Sequence, residues 1–229
     1  MGGVDKGLIE LDGRPLVQWV AEALRPQVAI LLISANRHRE RYAKLGWPVL
    51  ADHAVGALAE QATATDRPYQ HQSFQGPLAG IATALAEIKA WPQQPLLAQR
   101  CDQSQAGDNT RSHSASAPAW LLVSPCDTPL IPSDLGVRLA AALRDGSARI
   151  AIAADQKRTQ PLHALIPTDI GADLTDYLIS GGRSVLGWLA RHRVATVAFE
   201  QTPSPFINLN RPEDAVSIQT QLGALREHG

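Results

Sequence analysis

Short apolar runs flanked by turn residues alternate along this chain with stretches of helical period. Residues 28–33 and Trp120–Val123 are apolar without alternation, which is typical of strands that are covered on both faces. Elsewhere apolar residues recur at helical spacing, as do Leu16, Val20 and Leu24. This rhythm of strands and helices predicts an α/β fold, with a mostly parallel sheet and helices on both faces.

The same pattern predicts the order of the elements. A turn at Asp12-Gly13 follows a first short strand, and Pro15 can then start a helix. Further helices are predicted at residues 37–44, 76–90, 133–144, 170–179 and 185–192, and further strands at residues 49–50, 149–153, 162–166 and 194–199. Residues 206–210 are predicted to be extended, and Pro212 is predicted to start a last helix.

One stretch interrupts this rhythm. Residues 92–118 are rich in Gln, Ser, Ala and Asp and show no usable period. Such a composition buries too little apolar surface to offset the entropy of ordering, so a flexible insertion is predicted there. The whole chain has 229 residues, which is the size of one α/β domain, and we expect residues 1–229 to form a single domain.

Composition and charge argue against several classes of function. Lys and Arg number 21 against 22 Asp and Glu, so the balanced charge does not favour a nucleic-acid partner. No apolar run approaches the roughly 18 residues that cross a bilayer, which predicts no membrane partner. The two cysteines have no nearby ligand residues and are expected to be reduced thiols in the cytoplasm. Neither paired histidines nor a Gly-x-Ser-x-Gly elbow supports a hydrolase.

Asp127 is the strongest candidate for a functional residue. It follows the predicted strand Trp120–Val123, and Pro125 and Pro129 restrict the backbone that presents it. Ligands of open parallel sheets bind beyond the carboxyl ends of the strands, and a carboxylate held there can bind Mg²⁺ together with water and phosphate oxygens. The alternative is that Asp127 caps a turn, because Asp-Thr-Pro is also ordinary turn chemistry.

Lys6 and two glycines are candidates for phosphate or nucleotide contacts. Lys6 lies in a glycine-containing segment, where its ammonium can reach phosphates as a point charge. The segment lacks P-loop spacing, and a solvated surface lysine is the alternative. Gly76 and Gly80 lie at the start of a predicted helix, where free N–H groups favour anions or base edges. A plain junction between loop and helix explains these glycines as well.

Four further polar residues lie at the ends of predicted strands or in extended chain. Asn36 and Asp52 follow strands, where an amide or carboxylate can bind a base or ribose or can cap the next element. Asn208 and Asn210 share one side of an extended stretch by alternation, so both can face one ligand. Turn-forming asparagines are the alternative for this pair.

Each signal is weak alone, but the order of the motifs is distinctive. The motifs are residues 1–8 (MGGVDKGL), 12–16 (DGRPL), 34–37 (SANR), 76–80 (GPLAG), 125–129 (PCDTP) and 208–214 (NLNRPED). Together they resemble the molybdenum cofactor guanylyltransferases. In that family a Leu-Ala-Gly-Gly loop and its strand precede the position of Met1, so we expect the natural chain to start earlier.

The resemblance implies a Rossmann-like nucleotidyltransferase fold that transfers GMP from GTP to molybdenum-bound molybdopterin, with pyrophosphate as the second product. By this resemblance Lys6 binds the GTP phosphates, and Asp127 binds Mg²⁺ and nucleotide. Asn36 and Asp52 contact the guanosine, and Gln160 stands where relatives commonly carry a histidine in their pterin-side half. Implied partners are GTP, molybdopterin, other molybdenum-cofactor biosynthesis proteins and acceptor apoenzymes. A CMP- or sugar-phosphate nucleotidyltransferase, or a non-catalytic module that binds pterin or an acceptor, is the alternative.

Overall fold

A computed structural model of the chain describes residues 5–51, 76–90, 119–209, 214, 216 and 218–220. The helices are α1 (Leu16–Leu24), α2 (Arg39–Ala43), α3 (Pro77–Lys89), α4 (Leu135–Ala141), α5 (Gly171–Ile179) and α6 (Val185–Leu189), with 3₁₀ turns at Lys6–Leu8, Arg25–Gln27 and Thr168–Ile170. The strands are β1 (Glu10–Leu11), β2 (Arg14–Pro15), β3 (Ile33–Ser34), β4 (Val49–Leu50), β5 (Trp120–Val123), β6 (Ile150–Ala154), β7 (Thr159–Pro167) and β8 (Val194–Ala198).

The chain forms two compact units. The first comprises residues 1–31, 122–165 and 192–229, and the second comprises residues 32–121 and 166–191. The sequence predicts one domain for the whole chain, and that remains a prediction.

The first unit begins with a hairpin that the sequence predicts. Strands β1 and β2 pair antiparallel, and Asp12 and Gly13 between them have φ angles of 52° and 72°. Left-handed values at both central residues are typical of the turn that Asp-Gly favours in hairpins. Helix α1 follows at once, and Leu16, Val20 and Leu24 are buried on one face. Both the turn and the helix after Pro15 are therefore confirmed.

A mixed sheet is the main element of the first unit. The strand order is β5-β7-β6-β8; β8 runs parallel to β6, and β7 runs antiparallel to it. Only four residues, 155–158, connect β6 to β7, and a connection this short can join only antiparallel neighbours. The α/β class is confirmed, but the described sheets are mixed and the expectation of a mostly parallel sheet holds only in part. That helices cover both faces remains a prediction.

The apolar core of the first unit joins this sheet to helices α1 and α4. Its main cluster is contributed by α1, α4, β6, β7 and two phenylalanines near the C-terminal end: Val20, Leu24, Ile131, Leu135, Leu139, Ala151, Ala153, Leu165, Phe199 and Phe206. A smaller cluster lies beside the N-terminal hairpin and consists of Leu11, Leu16, Leu130, Leu209 and Ile218. The smaller cluster therefore anchors the segment around Leu209 to the first unit.

The second unit is built from α2, α3, α5, α6 and the parallel pair β3-β4. Helix α3 packs on α5 at a close approach, because a Cβ placed on Gly171 would lie 3.3 Å from the Cβ of Leu85. Leu85 and Leu174 are both fully buried in this unit. The predicted helix at residues 76–90 is confirmed.

One predicted strand needs correction, and other sequence predictions are not tested or lie outside the described residues. Of the strand predicted at residues 28–33, only Ile33 belongs to a ladder, since apolar character predicts burial but does not provide a pairing partner. Residues 206–209, which are predicted to be extended, belong to no described strand, and their extended conformation remains a prediction. The predicted insertion at residues 92–118 and the candidates Asp52 and Asn210 lie outside the described residues. Within the described ranges, no helix is long and apolar enough to cross a membrane.

Candidate active site

The turn that carries Asp127 directly follows strand β5. Thr128 is fully buried, and its hydroxyl donates to the carbonyl of Pro125 at 3.3 Å. The backbone N–H of Leu209 donates to the carbonyl of Asp127 at 3.0 Å. The Asp127 backbone is therefore held both within its own turn and by the segment at Leu209, as a residue with a fixed functional orientation requires.

Lys6 lies beside the Asp127 carboxylate. Its Nζ is 3.2 Å from Oδ2 of Asp127, and the two side chains are 47% and 12% exposed. The short turn Lys6–Leu8 presents the lysine, with the N–H of Ile9 donating to the Lys6 carbonyl at 3.1 Å. An ammonium that is half exposed next to a largely buried carboxylate can pair with Asp127 and still reach a phosphate from the solvent side.

Cys126 precedes Asp127 and is chemically quiet. Burial, together with the smaller effects of the Asp127 and Asp5 carboxylates, raises the pKa of its thiol to about 11. The thiol therefore stays protonated at neutral pH, where only a thiolate acts as nucleophile or metal ligand. The influence of Asp5 on this thiol also shows that a second carboxylate lies close to the Asp127 turn. The sequence analysis did not single out Asp5, although it precedes Lys6.

A histidine lies behind the turn. His163 on β7 is 1% exposed, and its Nε2 is 3.0 Å from the Thr128 hydroxyl oxygen. Its ring lies 4.4 Å from the Phe206 ring, centroid to centroid. Burial lowers the pKa of His163 to about 3, so the imidazole is neutral at physiological pH. Sequence reasoning saw in His163 only a histidine without a metal partner; the available signal was one polar side chain within an apolar strand.

A cavity of about 170 Å³ opens beside the turn in the first unit. Its polar lining comes from β7, from the last residue of the connection before it and from the segment near Leu209: Arg158, Thr159, Gln160, His163 and Asn208, with Pro125 at the edge. A second space of about 500 Å³ shares Arg158 and Asn208 and adds Lys157 and Asp214. The structure thus places Asn208 in a polar cavity that Pro125 of the Asp127 turn also lines.

Asp155, at the carboxyl end of β6, lines the larger space and binds residues that line both cavities. It accepts hydrogen bonds from the backbone N–H groups of Lys157 and Arg158 and from the side chains of Gln160 and Ser204, all within 2.9 Å. Burial alone would raise the pKa of Asp155, but the four hydrogen bonds outweigh it and lower the value to about 2. Gln160 is thereby held in place where it lines the smaller cavity.

The remaining described candidates lie in the second unit. Asn36 is exposed in the bend that follows β3. Gly76 precedes α3 with a φ of 111°, a value that favours glycine, and its carbonyl accepts from the N–H of Ala79 at 3.1 Å. Gly80 lies in the first turns of α3. The first unit therefore brings together Lys6, Asp127 and Asn208, whereas Asn36, Gly76 and Gly80 belong to the second unit.

The chain matches the MobA-like NTP transferase domain over residues 1–195. A molybdenum cofactor guanylyltransferase from a Shewanella species, strain MR-4, is 34% identical over 97% of this chain and 90% of the relative. Among solved structures, the molybdopterin-guanine dinucleotide biosynthesis protein A of Archaeoglobus fulgidus aligns with a TM-score of 0.64 at 16% identity, covering 97% of this chain and 92% of that one.

A second solved structure is a Mycobacterium tuberculosis protein in complex with manganese. It aligns with a TM-score of 0.55 at 11% identity and covers 95% of this chain and 93% of that one. The solved structures support the fold, and the domain match together with the 34% identity over nearly the whole length establishes the family. The chain belongs to the molybdenum cofactor guanylyltransferases, nucleotidyltransferases that carry the MobA-like NTP transferase domain.

Proposed function

We propose that this chain transfers GMP from GTP to molybdenum-bound molybdopterin, giving molybdopterin guanine dinucleotide and pyrophosphate. The observation that carries the proposal is the ion pair between Lys6, on the N-terminal turn Lys6–Leu8, and Asp127, on the turn beyond strand β5, with 3.2 Å between Nζ and Oδ2. A cation and a carboxylate side by side suit a reaction in which charged phosphates are held and little covalent chemistry is asked of the protein.

In this proposal Lys6 binds the phosphates of GTP. Its side chain is half exposed, so the ammonium can reach an incoming nucleotide from the solvent side while it stays close to the Asp127 carboxylate. As a compact point charge it offsets the negative charge that shifts towards pyrophosphate as the bond to the α-phosphorus breaks.

Asp127 is the residue that fits a divalent cation. Mg²⁺ in nucleotide sites takes one or two protein carboxylates and fills its other positions with water and phosphate oxygens. The described part of the chain holds no group of three or more His, Cys, Asp or Glu suited to a metal, which agrees with such a sparse site. The manganese bound to the Mycobacterium tuberculosis protein supports the choice of a divalent cation. Bound there, the cation neutralises phosphate charge during transfer.

Asn36 and Asp52 are proposed to hydrogen-bond the base or ribose, and Gly76 and Gly80 to bring free N–H groups of helix α3 to the nucleotide. Support comes from the left-handed φ of Gly76 at the start of a helix of 13 residues, because the N-terminus of a helix favours negatively charged ligands.

The pterin is assigned to the polar cavity of the first unit. Asn208 and Gln160 offer amides there, and Arg158 offers a guanidinium to the phosphate of molybdopterin. Asn210, two residues further along the chain, is proposed to face the same ligand. Release of the product to acceptor apoenzymes, contact with other biosynthesis proteins and a cytoplasmic location belong to the same proposal.

The test is a reconstituted reaction containing the chain, Mg²⁺, GTP and molybdenum-loaded molybdopterin. We expect guanine dinucleotide and pyrophosphate to form in equal amounts, with CTP, UTP and ATP reacting poorly. Product formation from CTP instead of GTP would reassign the base.

A binding measurement separates the nucleotide step from the pterin step. Lys6→Ala is expected to weaken GTP binding by about tenfold or more, because a charged partner of the phosphates is lost. Lys44→Ala is the matched control, because Lys44 lies outside the proposed site. Unchanged GTP affinity in Lys6→Ala would remove Lys6 from the proposal.

A further inference from the structure

Three groups in a row connect strand β7 to the backbone of the Asp127 turn. His163 Nε2 lies 3.0 Å from Thr128 Oγ1, and Thr128 Oγ1 lies 3.3 Å from the carbonyl oxygen of Pro125. A carbonyl can only accept and a threonine hydroxyl has one proton. Both contacts are satisfied when His163 donates from Nε2 to Thr128 and Thr128 donates to Pro125. This row of groups is called the His163 link below.

The histidine of the His163 link makes the folded chain less stable than an apolar side chain at the same position would. Nδ1 of His163 is fully buried and finds no hydrogen-bond partner among the described residues. Burying such a group without a partner is unfavourable, whereas a leucine would fill the space between Thr128 and Phe206 without that cost. His163 lowers the stability of the fold and lies directly behind the candidate site. Its presence is therefore better explained by the turn that it restrains than by packing of the core.

We propose that His163 is a positioning residue for guanylyl transfer, acting through Thr128 to fix the turn that presents the Asp127 carboxylate beside Lys6. The inference rests on the proposed function. Asp127 is already held by its own carbonyl, which accepts from the N–H of Leu209 at 3.0 Å. The His163 link restrains the other end of the same turn at Pro125. With both ends fixed, the carboxylate meets the cation and nucleotide in one orientation, and His163 itself touches neither.

Two pairs of variants test the His163 link. His163→Leu and Thr128→Val remove its hydrogen bonds with little change in volume. His163→Gln keeps an N–H donor near the position of Nε2, and Thr128→Ser keeps the hydroxyl. The readouts are the dissociation constant of Mn²⁺ in the complex of the chain with GTP, followed by electron paramagnetic resonance, and kcat and KM for GMP transfer.

We expect His163→Leu and Thr128→Val each to weaken Mn²⁺ binding and to lower kcat by about tenfold, the usual cost of losing a group that orients a metal ligand. The conservative variants are expected to stay within about threefold of the wild type. The double variant should lose no more than either single one, because both changes break the same link. Leu165→Val, a core change on β7 outside the link, controls for lost stability and should leave Mn²⁺ affinity unchanged.

Wild-type Mn²⁺ affinity and kcat in a folded His163→Leu or Thr128→Val chain would overturn the inference, as would additive losses in the double variant. If His163→Leu does not fold, Thr128→Val decides alone. A wild-type chain that binds no Mn²⁺ with GTP would contradict the proposed function and the inference with it, whereas binding that is insensitive to the link contradicts the inference only.

Discussion

Two aspartates follow two strands of the same sheet and are used in opposite ways. Asp127 comes after β5, and within the described residues its carboxylate pairs with Lys6 at 3.2 Å. Asp155 comes directly after β6 and accepts four hydrogen bonds from residues of its own turn and from Ser204. A carboxylate has roughly four acceptor sites, so Asp155 is fully used by the fold while Asp127 keeps capacity for a ligand.

The difference lies in what holds each residue in place. The turn of Asp127 is fixed through its backbone, by Leu209 and by the Thr128 hydroxyl, which leaves the carboxylate available. Asp155 fixes its turn with the carboxylate itself. A position at the end of a strand therefore does not distinguish a functional aspartate from a structural one. The number of hydrogen-bond donors around the carboxylate distinguishes them.

The largest expected effect comes from Asp127→Asn. The change removes one negative charge at the proposed cation site and keeps the shape of the side chain, so GMP transfer should fall on the order of 100-fold or more with little change in folding. Steady-state kinetics with Mg²⁺ measures the expected loss of activity, and thermal unfolding checks that folding is little changed. Magnesium-dependent activity near the wild-type level would make Asp127 as structural as Asp155.

The surroundings of the two aspartates should also respond to pH in different ranges. The pKa of buried His163 is about 3, below its ordinary 6.5, so the stability of the neutral form is present above about 6.5 and is lost as pH falls towards 3. Between about pH 7.5 and about pH 5 the free energy of unfolding should fall by about 2 kcal/mol from this group.

Urea unfolding at several pH values measures this loss, and His163→Leu should remove it. The Asp155 network responds in the same direction but in a lower pH range, because its pKa of about 2 lies below the ordinary 3.8. Its contribution is present above about 3.8 and is lost as pH falls through 2. An identical pH dependence in His163→Leu and wild type would show that folding does not lower the pKa of His163.

Asp155→Ala should act on stability rather than on the nucleotide. The change releases two backbone N–H groups and two side chains, most of which can turn to water, so we expect a loss of about 1–2 kcal/mol. Because Gln160 loses its anchor in the cavity, KM for the pterin substrate should rise while GTP affinity is unchanged. If Asp155→Ala lowered GTP affinity as much as Lys6→Ala does, Asp155 would belong to the nucleotide site together with Asp127.

The sequence predicted one aspartate and missed the other for physical reasons. Asp127 lies between two prolines after an apolar strand, a local pattern. The role of Asp155 depends on Ser204, 49 residues away, and on a turn of four residues with no glycine to mark it. The mixed sheet was missed for the same reason, since apolar runs predict buried strands but carry no information on their direction.

Helices were more predictable than strands. Helices α1 and α3 follow from apolar spacing and from Pro15 and Pro77, because a helix satisfies its hydrogen bonds within its own segment. The strand predicted at residues 28–33 instead needed a partner at each position, and only Ile33 has one in the described ladder. The contact of His163 with Thr128 is likewise non-local, since the two residues are 35 positions apart, and only the structure shows it.

The smallest expected effect is that of Ser204→Ala. Its hydroxyl donates to Asp155 Oδ2 at 2.8 Å and accepts from the N–H of Phe206 at 3.2 Å, so the change removes one of the four donors and one acceptor in a partly buried place. We expect a loss of about 0.5–1.5 kcal/mol in urea unfolding. The pKa of Asp155, followed by carboxyl NMR, should rise from about 2 towards its ordinary 3.8, because one hydrogen bond to the charged form is gone. Activity should be unaffected, since the remaining donors still hold Gln160. If the pKa of Asp155 does not move, the four hydrogen bonds are not what lowers it, and the contrast between the two aspartates would need another cause.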